Sequence, residues 1–171
     1  MTETLGPSEA LAVADELRDV YFSAFGAPGY DETPEKADQF ATEQLPLHAT
    51  RPGFKLVLTR SAGAITGFAY GFTGDRGQWW SDRIAEVAPE IADVWVGGHF
   101  EIVELAVATS AQRQGLGAEL HDALLAGLPH NKALLSTYVD DRPAPRLYRR
   151  KGWHLLLPEL TPNAALYGKQ L

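Results

Sequence analysis

Apolar residues recur at helical spacing near the start of the chain, where Leu11, Ala14, Leu17 and Val20 or Tyr21 share one face. Ser8 is the expected cap of this helix, which Gly26, Pro28 and Gly29 end after Phe25. A second helix is expected from Thr33-Pro34-Glu35, with threonine as cap and proline in first position, stopping before Pro46. The pattern then turns to strands. Phe54 to Arg60 and Ala64 to Phe72 read as an antiparallel pair joined by Ser61-Ala62-Gly63, and Gly67 and Gly71 suggest a bulge or close backbone approach.

Residues 73 to 98 are less regular and carry Trp79, Trp80 and Trp95. A helix over Ser81 to Ala92, broken or bent at Pro89, fits the pattern. The segment suits a lid or acceptor wall; equally, its tryptophans suit a core or a dimer interface, and the pattern leaves these open. Phe100 to Leu128 begins as a strand, breaks into a polar loop with Gly115 and Gly117, and continues as an amphipathic helix burying Leu116, Leu120, Leu124 and Leu128. Ala133 to Val139 follows as a buried strand. Asp140, Asp141 and Arg142 introduce a helix from Pro143 to Lys151, ended by Gly152, and Trp153 to Leu157 and Ala164 to Gln170 close the chain as strands.

Composition narrows the function classes. At 171 residues the chain reads as one domain, residues 1–171. A net charge of −7 weighs against nonspecific nucleic-acid binding and makes a neutral or cationic small-molecule or peptide partner the better fit. With no cysteine, thiolate nucleophiles and cysteine metal sites are excluded. His48, His99, His121, His130 and His154 are scattered, so no metal site is expected, and His99 reads as a surface histidine or a proton-relay partner. Neither a membrane-length apolar run nor a signal peptide is present, which makes a cytoplasmic protein the expectation. The tryptophans also make a homodimer reasonable.

The two glycines sit where a helix N-terminus can hold a phosphate through unpaired N–H groups. A P-loop would need Gly-Lys-Ser/Thr, whereas Gly117 is followed by Ala118-Glu119. A dinucleotide fingerprint would need a third glycine at Leu120, although Asp140 stands about twenty residues on. The third possibility fits better. Gln112-Arg113-Gln114-Gly115-Leu116-Gly117 resembles the Gln/Arg-x-x-Gly-x-Gly/Ala signature of the GNAT superfamily of acetyl-CoA-dependent N-acetyltransferases. Asp140 to Trp153, with Ala144, Tyr148 and Gly152-Trp153 in place, resembles its second signature, and together the blocks span about Phe100 to Leu157.

The resemblance implies an α/β (α+β) fold: a mixed, mainly antiparallel sheet flanked by helices, with a splayed central strand pair. It implies acetyl-CoA as donor. Backbone N–H groups of Gln114, Gly115, Gly117 and Ala118 would hold the pyrophosphate, with Leu116 between them and Gln112 and Arg113 adding side-chain donors. Leu105, Ala106 and Val107 would face the pantetheine arm and thioester. Asp141 stands where many members have a pantetheine-binding asparagine, beside Ala144. Tyr148 matches the tyrosine that protonates the leaving thiolate, a role its ordinary pKa near 10 allows.

An amine attacks only when neutral, so a base must take its proton. Glu101 and Glu104 are the candidates in the strand, and period-2 alternation puts them on opposite faces. Glu101 lies eleven positions before Gln112, where the resembling family often has its base; this favours Glu101, unless a bulge reverses the geometry. The function expected is acetyl transfer to a primary amine by direct attack. The rivals are a non-catalytic acyl-CoA-binding module on the same fold and a nucleotide-cofactor oxidoreductase.

Overall fold

The computed structural model describes all 171 residues. Seven strands form one sheet in the order β1-β2-β3-β4-β5-β7-β6. They are β1 (Thr2–Leu5), β2 (Lys55–Ser61), β3 (Ala64–Gly74), β4 (His99–Val107), β5 (Lys132–Tyr138), β6 (His154–Thr161) and β7 (Ala164–Gln170). The pairs β1–β2, β2–β3, β5–β7 and β6–β7 are antiparallel, and β4 pairs with β5 in parallel. That parallel pairing runs through Phe100↔Ala133 and Glu101↔Leu134 and stops there, giving the splayed pair expected from the sequence.

The residues gather into two compact units, one of residues 1–72 with 104–127, the other of residues 73–103 with 128–171. In the first, α1 (Pro7–Ala12) and α2 (Ala14–Phe25) are separate helices, broken at Val13, where one continuous helix was expected. The cap is also different. Gly6 occupies the N-cap, its N–H donates to Glu9 Oε2 at 2.9 Å, and Pro7 takes the first helical position, so Ser8 lies inside the helix. β1, which no alternating pattern announces, pairs with β2 from Thr2↔Thr59 to Leu5↔Leu56.

The second helical stretch starts as expected. Thr33 Oγ1 accepts the Lys36 N–H at 3.2 Å and α3 covers Pro34–Gln39. It does not stop before Pro46. A π-helical turn, Phe40–Gln44, in which the Leu45 N–H reaches back to the Phe40 carbonyl, carries the chain into α4 (Leu45–Ala49). Pro46 falls in the first turn of α4, where its missing N–H costs least, and the widened turn just before it accommodates the ring.

A hairpin, β2–β3, slips register between Thr59↔Gly67 and Arg60↔Ile65, leaving Thr66 as a bulge. Gly67 fulfils the close approach expected of it: a Cβ there would lie 3.0 Å from Leu120 and 3.2 Å from the Ala106 carbonyl.

In the second unit α5 (Trp79–Val87) and α6 (Pro89–Trp95) are split at Ala88, immediately before Pro89 as expected. Trp80 and Trp95 pack against Ile84, Ala92, Leu134 and Leu166, which makes them core residues, while Trp79 is exposed. α7 (Leu116–Leu125) belongs to the first unit and α8 (Pro143–Arg150) to the second. No helix is long and apolar enough to cross a membrane.

Candidate functional site

The loop between β4 and α7 is shaped for an anion. A short 3-10 turn (Thr109–Ala111) leads into Gln112, and Arg113 and Gly115 then adopt left-handed conformations, with φ of 63° and 79°. Gln112 before them is extended, so the two positive-φ residues bend the loop backbone sharply, the kind of turn that can form an anion-binding nest. Gly115 is the N-cap of α7, so the unpaired N–H groups of that helix open on the same loop. Nothing lies within 4 Å of where a Cβ on Gly115 would stand, and residues 112–115 are exposed, so the cradle is open to a phosphate group. On this observation the residues present fit the pyrophosphate of acetyl-CoA.

Two braces hold the loop from behind. Ser23 of α2 accepts the Thr109 N–H at 3.0 Å and shares a hydrogen bond with the Thr109 hydroxyl at 3.1 Å. The Gln112 amide donates to the Val107 carbonyl at 3.0 Å, so this side chain braces the turn it belongs to and Arg113 remains the exposed side-chain donor. At the far end of α7, Lys55 Nζ donates to the Ala123 and Ala126 carbonyls, satisfying its C-terminal carbonyls. Leu120 and Leu124 are buried as expected, and Leu116 is half-buried at the first turn.

β4 departs from simple alternation. Val103, Glu104 and Leu105 are all half-buried, and Ala106 is buried. The backbone bonds give the reason: Gly98 donates to the Gly74 carbonyl and Ala108 to that of Thr66, whereas an unbroken ladder from Gly98 and Gly74 would set Ala108 opposite Ala64. Two more residues lie between Gly98 and Ala108 than between Thr66 and Gly74, so a face assignment made from period two does not carry through the strand.

Glu104 lies in the first unit with the loop. Its Oε1 accepts from Gln44 Nε2 at 3.1 Å. Burial pushes its pKa up to about 7; the Gln44 hydrogen bond opposes this, the nearby Glu32 carboxylate adds to it, and Lys36 lowers it. Gln44 Nε2 also reaches Tyr70 Oη at 3.1 Å, and Tyr70 Oη meets His48 Nδ1 at 2.9 Å. None of Gln44, Tyr70 or His48 is legible as a site residue in the sequence. They converge because the π turn sets Gln44 where it meets Tyr70 of β3.

The remaining expected residues stand in the second unit. Glu101 is 7% exposed, with His99 Nε2 3.6 Å from its Oε1. His99, expected at the surface, is fully buried: its Nδ1 accepts the Gly97 N–H at 3.1 Å, and its ring fills the space that a side chain on Gly74 would need. Tyr148 is buried on α8, packed edge-to-face on Trp153 at 5.8 Å. Asp141 is exposed and bound to the Arg149 guanidinium, and Ala144 is half-buried at the first turn of α8. No group of three or more histidine or acidic side chains is arranged to hold a metal.

Comparison with known proteins places this geometry. Over 98 residues, 52% of the chain and 48% of the relative, the sequence is 38% identical to a GCN5-like protein acetyltransferase of Mycobacterium tuberculosis, so the chain spans about half the length of that relative. Among solved structures, an acetyltransferase from Thermus thermophilus superposes with a TM-score of 0.69 at 15% identity, over 100% of this chain and 97% of that one. A PaiA N-acetyltransferase from Thermoplasma acidophilum, solved in complex with coenzyme A, gives 0.63 at 9% identity, over 100% and 99%. An aminoglycoside 6′-acetyltransferase of type Ii gives 0.65 at 14% identity, over 99% and 96%. These structural likenesses establish a shared fold. The acetyltransferase (GNAT) family model matches residues 12–153, most of the chain, and the protein therefore belongs to the GNAT acetyltransferase family.

Proposed function

We propose that the protein is an acetyl-CoA-dependent N-acetyltransferase that acts on a primary amine by direct attack, with Glu104 as general base. One observation carries the reading: on the strand that leads into the glycine loop, Glu104 is held by the Gln44 amide at 3.1 Å in surroundings that raise its pKa to about 7. A base of this strength is substantially ionised at neutral pH yet takes a proton readily, the condition for efficient general-base catalysis.

Acetyl-CoA, when bound, supplies an acyl group activated as a thioester. The N–H groups of Gln114, Gly115, Gly117 and Ala118 would hold its pyrophosphate, and the Leu105 to Val107 backbone would align the arm. Glu104 accepts the proton that the attacking amine must lose. Tyr148 is the proposed proton source for the departing sulfur, because a phenol stays protonated at neutral pH. Glu101, closed in by His99, is the weaker candidate for base, which reverses the preference drawn from the resembling family's usual base position.

The test has two parts. Calorimetry should show coenzyme A binding in preference to NAD, and no coenzyme A binding at millimolar concentration would sink the reading. In an acetyl-CoA screen over polyamines, aminoglycosides, amino acids and peptide N-termini, the accepted amine should give a kcat/KM that rises through about pH 7. Glu104→Gln should abolish that limb and lower kcat/KM by roughly 10²- to 10⁴-fold. If Glu101→Gln does so instead, the base is Glu101.

A further inference from the structure

Glu104 is the end of a hydrogen-bonded row whose polarity can be worked out. Gln44 presents its amide nitrogen to Glu104 Oε1 and to Tyr70 Oη, each at 3.1 Å. A flipped amide would set its oxygen against the carboxylate, so the orientation is fixed by repulsion as well as by bonding. Having accepted from Gln44, the Tyr70 hydroxyl has its proton to donate, and His48 Nδ1 stands 2.9 Å away. The histidine suits that part: burial, and then the Arg51 charge, lower its pKa to about 4, so it is neutral at physiological pH and can accept.

The row is rigidly mounted. Tyr70 is fully buried, tilted against Phe40, His48 and Phe54 with centroids 5.7 to 6.3 Å away. Gln44 ends the π turn, and His48 lies on α4 directly after it. Without the extra residue of that turn, Gln44 would be rotated by about 100° around the helix axis, away from the carboxylate.

We propose that Gln44, locked in orientation by Tyr70 and His48, is a positioning residue that keeps Glu104 aimed and ionised for proton abstraction. The proposal rests on the reading of Glu104 as the base. The charged groups facing Glu104 are Glu32 and Lys36, from the connection before α3 and from α3 itself, and Arg51 faces His48. Of these, Lys36 favours the ionised form and Glu32 disfavours it, so the Gln44 donor is the larger of the two influences that oppose burial.

The experiment is an NMR titration of the full chain with carbon-13-labelled glutamate, read beside the pH profile of kcat/KM. In Gln44→Ala the Glu104 midpoint should move up by roughly one pH unit, and the acidic limb should move with it. Tyr70→Phe, which preserves the buried ring, should shift both the same way by less. The double variant should go no further than Gln44→Ala alone, because Tyr70 acts through Gln44. An unmoved midpoint in both single variants, or a loss of kcat/KM uniform over pH, would overturn the proposal. The titration needs no acetyl-CoA. If the midpoint moves while no amine is acetylated, the network stands and the function fails; if activity requires Glu104 while the midpoint stays, only the network fails.

Discussion

Glu104 carries a consequence for stability as well as for the proposed catalysis. Its folded pKa of about 7 lies above the ordinary 4.5, so the native state binds a proton more readily than the unfolded chain. The stability this contributes is complete below about pH 4.5 and is lost as pH rises through about 7. Glu104→Gln removes the titration. Relative to wild type, the variant should therefore gain stability between pH 5 and pH 8, by at most about 3 kcal/mol, readable from denaturant midpoints at both pH values. His48 works in the opposite sense. Its pKa is lowered to about 4, so its contribution is present above about 6.5 and is lost as pH falls through 4. The glycines divide by mechanism at this scale. Gly115→Ala should cost about 1–2 kcal/mol through its positive φ and weaken coenzyme A binding in calorimetry. Gly74→Ala meets a different obstacle, a ring atom of buried His99 2.1 Å from the new methyl, and should lower the melting temperature more while leaving the nest intact.

Elements show why some boundaries were legible and others were not. Thr33 and Pro34 announce α3 through local chemistry, a side-chain oxygen for a free N–H and a ring with the right φ, and the structure uses both. Thr33→Ala should accordingly cost about 1 kcal/mol in denaturant unfolding with little change in coenzyme A affinity. The passage through Pro46 was not legible. Proline forbids an ordinary continuation, and a π turn that admits it depends on packing against neighbours, which the sequence of the segment does not contain. β4 gives the same lesson for a strand. Alternation assigns faces only while the ladder is regular, and the change of register along β4 arises from pairing with a strand distant in the chain. The missed β1 is likewise an edge strand of four residues, too short to show a period.

For the whole molecule, the edge strand has a measurable role. β1 covers β2 through four paired residues, and removing residues 1–5 should lower the melting temperature and increase hydrogen exchange in β2. The family and the anion nest were within reach of the sequence, because a glycine nest is written in consecutive residues: Gly115 must tolerate a positive φ, and the helix that follows must begin there. The mixed, mainly antiparallel sheet and the splay between β4 and β5 agree with what the resemblance implied. Which carboxylate is the proposed base was decided elsewhere. A pKa near 7 comes from desolvation, from the Gln44 donor sixty residues away in the chain, and from Glu32 and Lys36. Those terms depend on distance in space, to which spacing along a strand is blind. Sequence alone determined the local conformation of the glycine loop, and tertiary structure decided the protonation of Glu104, because conformational preference is local whereas burial and charge coupling are not.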